Sequence, residues 1–356
     1  MPRHQRKTTI MNTLSLRLRP LAAAILCSLI APALFAQTAT TDPVGFITDA
    51  VGGGGTVAVP KISLISPTLM QPVAWQGLGT ITTNLVTVSG TPWTANQFNG
   101  ANGKYFVEIV SGTNAGAWTD VVTTTTNTVT TFDNLAPFAS ASDTIRIRKH
   151  LTLADFLGAT NSAGFKGGTS VADADEILIY DGSTFVVYWY YDASDNAGPA
   201  GWYDTNYNPG GGALIAPHQG VVVRRKASGA VSVISMGTVK TGNTFLPVRP
   251  GINVLGTVSA KGLTLATSNL YTGLTATGMK GSASPATADE LIVYTATGHT
   301  NYFYYDASDN AGPAGWYDVD FNPAGTVPIV PGSAMVVNRK NPSATFNWVL
   351  PSPSTF

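Results

Sequence analysis

The chain contains one cysteine, Cys27, and it lies in an apolar amino-terminal stretch. Stretches of this kind are typical of export signals, which are removed from the mature protein. Without that segment no cysteine is left, so a disulfide framework and thiol catalysis are excluded. A chain of this length can build a hydrophobic core without disulfides.

Residues 1–36 are predicted to be a signal peptide. The apolar stretch from Leu21 to Phe35 is too short for a good membrane span, and no later apolar run is long enough to span a bilayer. We expect cleavage near Gln37 and a translation start at Met1 or Met11. The sequence therefore predicts an exported protein of the periplasm, the cell surface or the extracellular space. The basic residues that precede or open the apolar stretch are Arg3, Arg6, Lys7, Arg17 and Arg19.

Charge is also scarce, at 11% of residues against roughly 25% in ordinary soluble domains. The whole chain has 20 basic and 20 acidic residues, and removing the five basic residues of the signal leaves 15 against 20, a net charge of −5. That balance excludes nucleic acid as a partner, because phosphate binding needs a concentrated basic face. A weakly charged surface favours association with a second copy or a surface polymer. A general bias in amino-acid composition explains the low content of charged residues equally well.

Catalytic motifs are missing as well. The spacings GxSxG, HExxH and the P-loop do not occur. The histidines after the signal, His150, His218 and His299, have no counterparts in the internal repeat described below. The adjacent acids Asp175 and Glu176 would diverge on a strand, whereas paired catalytic carboxylates face one gap. The chain is therefore predicted not to be an enzyme and to hold no cofactor.

What the chain has in abundance is Thr, Val, Tyr, Gly and Pro, in short β runs that end at turn residues. This composition predicts a mainly β fold. It consists of two related β-sandwich or barrel-like modules in tandem, a small inserted β domain and short capped helices. We assign residues 37–72 with 151–236 to the first module, 73–150 to the insert and 237–356 to the second module.

An internal repeat defines the two modules. The segment YYDASDNAGPAGWYD runs from Tyr190 to Asp204 and returns unchanged from Tyr304 to Asp318, 114 residues later. At that offset, residues 164–226 and 278–340 share 34 identities in 63 positions without a gap. The two stretches are therefore expected to superpose as β hairpins.

Several local structures follow from capping and turn chemistry. Thr152 is predicted to cap a helix over 153–157 that ends at Gly158. Thr267 or Ser268 is predicted to cap a second helix over 269–272. Asp181 and Gly182 predict a tight hairpin with positive φ at both residues, and the second copy needs a longer or differently built turn. Alternation in 105–110 predicts a half-buried strand with Glu108 on its wetter face.

The middle of the repeat, ASDNAGPAG, can only be a loop, and its oxygen-bearing side chains have two interpretations. Calcium prefers clustered hard oxygen ligands, but Asp and Asn also shape turns by bonding to their own backbone. Turn formation is favoured, with Gly198 and Gly201 as the residues that supply unusual backbone angles. The candidate calcium ligands are Asp192, Asp195, Asn196 and Asp204 in the first copy, and Asp306, Asp309, Asn310 and Asp318 in the second.

Aromatic residues flank each loop. Because strand side chains alternate, one face of each strand can be core while the other exposes rings. Exposed rings could stack on sugars or on a partner, although packing across the sheet is the favoured interpretation. The candidate aromatic surface consists of Tyr190, Tyr191 and Trp202, with Tyr304, Tyr305 and Trp316 in the second copy.

The motifs DPVGFIT, IRIRKHLTLADFLG, GFKGGTSVADADEILIYDG and GVVVRRK give the chain a resemblance to a known group. It resembles a family of uncharacterised exported β-rich proteins of verrucomicrobial-type bacteria, some of which carry a carboxy-terminal sorting tail. The resemblance implies export but no activity. We therefore expect a non-enzymatic structural or surface-associated β-repeat protein, with a carbohydrate- or calcium-binding module pair as the alternative.

Overall fold

The computed structural model describes residues 42–99, 103–295, 298–340 and 344–351, and the chain from Asp42 onward forms one compact unit. The predicted signal peptide lies outside the described residues. The strands are β1 (Val44–Val51), β2 (Lys61–Ile65), β3 (Val73–Thr82), β4 (Leu85–Val88), β5 (Tyr105–Ile109), β6 (Trp118–Thr124), β7 (Thr128–Thr131), β8 (Asp143–Lys149), β9 (Leu151–Thr152), β10 (Glu176–Tyr180), β11 (Phe185–Tyr191), β12 (Gly201–Asp204), β13 (Leu214–Ile215), β14 (Val221–Arg225), β15 (Val231–Thr238), β16 (Thr244–Val248), β17 (Gly251–Gly256), β18 (Leu263–Thr264), β19 (Glu290–Thr295), β20 (Gly298–Tyr305), β21 (Gly315–Asp318), β22 (Pro328–Ile329), β23 (Ala334–Arg339) and β24 (Phe346–Leu350).

The predicted mainly β fold is confirmed. The first module contains a five-stranded antiparallel sheet in the order β12-β11-β10-β14-β2, and a two-stranded ribbon formed by β1 and β15. Apolar side chains from the sheet, the ribbon and a short helix meet in one core, as alternation along half-buried strands requires. That core includes Val51, Ile65, Phe156, Ile177, Trp202, Val223 and Val233.

The second module repeats this arrangement. Its sheet has the order β21-β20-β19-β23-β17, and its ribbon is formed by β16 and β24. The cross-strand pairs also repeat, since Tyr190 opposite Trp202 becomes Tyr304 opposite Trp316. The repeated sequence therefore gives the same strands, pairs and register twice. The second core includes Leu246, Val248, Leu265, Leu291, Trp316, Val337 and Trp348.

Between β2 and β9 the chain forms a closed six-stranded antiparallel barrel in the order β3-β4-β7-β6-β5-β8. Its strands lie between Val73 and Lys149, and its interior holds a separate apolar core. The first and last strands, β3 and β8, are neighbours in the barrel. The chain therefore leaves the barrel beside the point where it entered.

The two modules contact each other through equivalent loops. The backbone N–H of Ser66 donates to the carbonyl oxygen of Gly332 at 2.8 Å, and that of Gly256 donates to the carbonyl oxygen of His218 at 2.8 Å. Gly332 and His218 are 114 residues apart, so the two contacts are copies of each other. Such reciprocal pairing is the pattern of a twofold interface, here within one chain.

The helices are short. The predicted capping of the first is confirmed, because helix α1 (Leu153–Leu157) follows Thr152 in a capping box with Asp155 and ends at Gly158, whose φ is +87°. The predicted second helix over 269–272 is wrong. A 3-10 helix forms earlier, at Leu265–Thr267, because Thr264 takes the capping position there. Within the described residues no helix is long and apolar enough to cross a membrane.

The hairpin turn after β10 differs from its prediction. Gly182 has a positive φ of 99°, but Asp181 does not. The carboxylate of Asp181 instead accepts hydrogen bonds from the backbone N–H groups of Ser183 and Thr184, so four residues form the loop. In the second copy the equivalent positions, Thr295 and Gly298, are paired within the sheet, so the strand pairing extends one residue pair further toward the turn.

The expected solvent exposure of Glu108 is also wrong. Its side chain is buried, as are its neighbours Phe106, Val107 and Ile109, so both faces of β5 are covered. Glu108 pairs with Lys240 at 2.6 Å and with Arg148 at 3.3 Å. Burial opposes ionisation of Glu108, but Lys240, Arg148 and Arg146 outweigh it and hold its pKa below the ordinary value.

Candidate functional site

The repeated loop between β11 and β12 is organised by hydrogen bonds within itself. One oxygen of Asp192 accepts the backbone N–H of Ser194 at 3.0 Å. One oxygen of Asp195 accepts the backbone N–H of Ala197 at 3.1 Å and the hydroxyl of Tyr191. In the second copy Asp306 and Asp309 make the same bonds to Ser308, Ala311 and Tyr305.

Asp204 belongs to a different turn. Its carboxylate accepts the backbone N–H groups of Asn206 at 2.8 Å and Asn208 at 2.9 Å, and the side-chain amide of Asn208. Asp318 repeats the bonds with Asp320 and Asn322. The candidate calcium ligands are therefore split between two turns. Across the described residues, no group of three or more His, Cys, Asp or Glu side chains is placed to hold a metal ion.

These hydrogen bonds keep the carboxylates charged. The hydroxyl of Tyr191 and the amide of Ala197 lower the pKa of Asp195, and bonds to Asn208 lower the pKa of Asp204. The left-handed positions are Ala193 (φ 59°) and Asn196 (φ 58°), with Ala307 and Asn310 in the second copy, whereas Gly198 and Gly201 have no left-handed φ. The prediction that those glycines supply the unusual backbone angles is wrong, because an alanine and an asparagine supply them.

The aromatic residues beside the loop are packed rather than displayed. Tyr191, Trp202, Tyr305 and Trp316 are each no more than 5% exposed. These four members of the candidate aromatic surface are therefore buried, in agreement with the favoured interpretation that they pack across the sheet. Alternation does place Tyr191 and Trp202 on opposite faces. Both faces are covered, because Tyr191 packs with Trp189 and Tyr203 in a small cluster beside the loop.

Tyr190 and Tyr304 are half-buried. Tyr190 meets the ring of Trp202 edge to face, and Tyr304 does the same with Trp316. Tyr304 is also stacked on Tyr271, with ring centroids 3.4 Å apart. Beside this stack lies an open cleft of about 380 Å³ that Tyr304 and Trp316 line. The two rings that keep some exposure are thus engaged by other rings.

A different apolar surface is exposed, on the outer face of the ribbon of β1 and β15. Val44, Phe46, Ile234 and Met236 are between 58% and 79% exposed. Phe46 lies directly opposite Met236 in the ribbon. We call these four side chains the ribbon patch. No described backbone or side-chain group outside the ribbon hydrogen-bonds to residues 44–51, so β1 has a free edge.

The barrel contacts the corresponding face of the second ribbon at Phe245. The backbone N–H of Phe245 in β16 donates to the carbonyl oxygen of Gly116 at 3.1 Å, and its carbonyl oxygen accepts the indole N–H of Trp118 at 2.9 Å. The Phe245 ring meets Phe138 edge to face at 5.8 Å. Equivalent ribbons therefore have different surroundings, since this face is half-buried and the ribbon patch is exposed.

A second feature that the sequence did not predict is a cleft of about 660 Å³ where the barrel and both modules meet. We call it the central cleft. The barrel contributes Trp118 and Phe132, the first module Tyr180 and His218, and the second module Arg249. Phe132 is 72% exposed at its edge. These residues come from three distant parts of the chain, so no local motif indicates them.

His218 is a half-buried titratable group that lines the central cleft. Burial, the nearby charge of Arg249 and the imidazole of His150 lower its pKa to about 4. Its Nδ1 atom has no hydrogen-bond partner among the described residues. His150 is buried, and its Nε2 atom lies 2.8 Å from an oxygen of Asp120, which lines the cleft.

The candidate residues predicted from the sequence all lie in the repeat, because a repeat can be recognised from the sequence alone. The ribbon patch and the central cleft instead depend on contacts between residues far apart in the chain. The family resemblance stays a prediction. No protein-family model, curated protein or solved structure matches this chain.

Proposed function

We propose that the protein is an exported, non-enzymatic structural or surface-associated β-repeat protein that assembles with copies of itself through the ribbon patch. One observation carries the proposal. Four large apolar side chains lie together on a ribbon whose outer strand has a free edge. Contiguous exposed apolar surface of this kind marks interaction sites in soluble proteins.

The outer face of the ribbon carries no charge. Besides the patch, the exposed side chains of this face are Thr48, Ala50 and Ser232. Long, flat edge strands are normally protected by lysine, proline, a bulge or an inward-pointing charge. Of these, β1 has only the inward-pointing Asp49 and nothing on its outer face. A strand with so little protection is suited to pairing with another strand.

A second copy is the occupant that fits this surface. A twofold axis brings identical patches together, so an uncharged face is complementary to itself. An antiparallel pair of β1 strands would join two ribbons into one four-stranded sheet. In the mature chain expected from the sequence, the five residues Gln37–Thr41 precede Asp42. The predicted signal peptide is then not available to cover the patch.

The alternative functions have lost their supporting features. Calcium binding at the repeated loops is weakened because each carboxylate already bonds to its own turn. Carbohydrate binding by the repeat aromatics is weakened because Tyr191, Trp202 and their copies are buried. Neither loop offers the converging groups that a binding site requires.

The test is the oligomeric state of the chain starting at Gln37, measured by light scattering and sedimentation over a range of concentrations. We expect a dimer or larger assembly, and a monomer for the double variant Phe46→Ser with Met236→Ser. The matched control is Val59→Ser, which removes an equally exposed apolar side chain elsewhere. A wild-type monomer at every concentration, or an assembly that the double variant keeps, would overturn the proposal.

Export is tested separately, by amino-terminal sequencing of protein from the native host. We expect mature protein that begins near Gln37 and is found outside the cytoplasm. An intact Met1 or Met11 terminus on cytoplasmic protein would contradict export while leaving the assembly result unaffected. If the chain starting at Gln37 assembles and a chain that retains residues 1–36 is a monomer, the amino-terminal segment would be identified as the occupant of the patch.

A further inference from the structure

The central cleft has the dimensions and the position of a ligand site. Its volume of about 660 Å³ lies within the roughly 300–1,000 Å³ of known small-molecule sites, which often form where domains meet. Three parts of the fold line it: the barrel and the two modules. We infer that the central cleft binds a short neutral oligosaccharide.

Aromatic rings supply the apolar part of this site. Phe132 is largely exposed, and Phe138 and Tyr180 are half-buried. The indole N–H of Trp118 is bonded to the carbonyl oxygen of Phe245 at 2.9 Å, and its ring packs against Phe106 and His218. Phe132 is therefore the ring that is most available to a ligand. Such rings pack against the C–H faces of sugar rings, as they do against other apolar surfaces.

Carboxylates supply the hydrogen-bond acceptors. Asp120 uses one oxygen for His150, Asp133 uses one for the hydroxyl of Thr119 at 3.0 Å, and Asp181 uses one for its own turn. All three side chains are exposed, so each carboxylate can also accept a hydrogen bond from a ligand. A ligand that satisfies several separate acceptors must carry several donors, as the hydroxyl groups of a sugar do.

The charges of the cleft disfavour a polyanion and give a polycation mixed surroundings. Three carboxylates face it, so a polyanion is repelled. Arg249 also lines it and opposes a polycation; a Cβ built on Gly182 would lie 3.3 Å from its Nη1 atom, so the guanidinium reaches across to the first module. His218 is neutral at physiological pH because burial lowers its pKa to about 4. A neutral ligand with many hydroxyl groups meets all of these conditions.

The experiment is calorimetric titration of the mature chain with defined hexasaccharides. The neutral probes are β-1,4-glucan, β-1,4-xylan, β-1,4-mannan and α-1,4-glucan, and the charged probes are hexagalacturonate and hexalysine. We expect at least one neutral probe to bind with a Kd between about 1 μM and 1 mM. The charged probes are expected not to bind.

Variants locate the binding. Phe132→Ala and Asp133→Asn should each weaken the affinity for that probe about tenfold. The matched controls, Phe321→Ala and Asp320→Asn, change exposed residues outside the cleft and should leave the affinity unchanged. The double variant of the ribbon patch should also bind normally, which separates this inference from the assembly proposal.

Three results would overturn the inference. The first is that no neutral probe binds at 5 mM or so, a concentration well above the expected dissociation constants. The second is that a neutral probe binds equally well to the wild type and to both cleft variants. The third is that hexalysine binds and Asp133→Asn removes the binding, which would assign the cleft to a cationic ligand.

Discussion

The carboxylate of Asp49 occupies the space that a side chain at position 332 would need. A Cβ built on Gly332 would lie 1.6 Å from the Oδ1 atom of Asp49. Asp49 belongs to the ribbon of the first module and Gly332 to a loop of the second, at the contact that the modules share. The residue equivalent to Gly332 in the first module is His218, so the two copies of this contact differ chemically.

The burial of Asp49 at this contact predicts that the free energy of unfolding depends on pH. Burial raises its pKa to about 6, above the value in the unfolded chain. The folded state then holds the extra proton, so this contribution is complete below about pH 4 and is lost as the pH rises through 6. We expect Asp49→Asn to raise the free energy of unfolding by about 1–2 kcal/mol at pH 7.5, discounted for partial solvation, and to change little at pH 4.

The measurement is urea unfolding at several pH values, with the exposed Asp320→Asn as the control. Control and wild type should have parallel curves. If Asp49→Asn also runs parallel to the wild type between pH 4 and 7.5, the burial of this carboxyl has no energetic effect.

His218 should change the stability with pH in the opposite direction. Its pKa of about 4 in the folded protein lies below the ordinary value of roughly 6.5. Between those values the unfolded chain takes up a proton that the folded chain does not, so stability falls as the pH drops from 6.5 to 4. We expect His218→Gln to remove about 2–3 kcal/mol of this acid sensitivity.

The two slopes overlap between pH 4 and 6. The two contributions to the pH dependence of stability should partly cancel in the wild type. Each single variant removes one contribution, so it shows the contribution of the other residue alone. Asp49→Asn should lose stability on acidification, and His218→Gln should gain it. Identical slopes in the two variants would show that these groups do not titrate as described.

The backbone of the repeated loop gives a third prediction. Ala193 and Ala307 have φ values of 59° and 57°, in the left-handed region that disfavours residues with a Cβ. Ala193→Gly and Ala307→Gly should each raise the free energy of unfolding by about 0.5–1 kcal/mol. The control is Ala200→Gly in the same loop, which has no left-handed φ and should be neutral or slightly destabilising. Thermal and urea unfolding would check it, and equal effects of Ala193→Gly and Ala200→Gly would contradict the strain argument.

The ion pair between Glu108 and Lys240 gives a fourth prediction. Both side chains are at least nine-tenths buried, so removing one partner leaves a charge without its full compensation. We expect Lys240→Met to cost about 3 kcal/mol, measured by denaturant unfolding. Lys104→Met, at an exposed position, should stay within about 0.5 kcal/mol of the wild type. Adding Glu108→Gln to Lys240→Met should recover part of the loss, and a double variant that is simply additive would argue against direct coupling.

The sequence predicts best where structure is local. The capping of α1 by Thr152 depends on Asp155 three residues later, and the pattern can be read directly from the chain. The duplicated strands were also predictable, because the repeat imposes one pattern twice. The second helix was misplaced because Thr264 takes the capping position and Thr267 bonds back to it, whereas the sequence alone offered Thr267 or Ser268 as the cap.

Long-range contacts explain what the sequence did not reveal. Alternation in β5 suggested one wet face, but Lys240, 132 residues away, covers Glu108. The outer ribbon patch needs β1 to pair with β15, almost 190 residues later in the chain. The central cleft joins residues such as Trp118 and Arg249 from separate parts of the fold. None of these partners can be identified from periodicity or spacing.

The neighbouring positions of β3 and β8 have a consequence for how this chain could have been built. Since adjacent strands lie roughly 5 Å apart, the barrel can be added to a module at a single loop without separating the strands on either side. Closing a longer loop has only a small entropic cost, so the host module tolerates such an addition. The barrel is thus an insertion at one loop of the first module, and its contact with Phe245 gives the second ribbon surroundings that the first ribbon lacks.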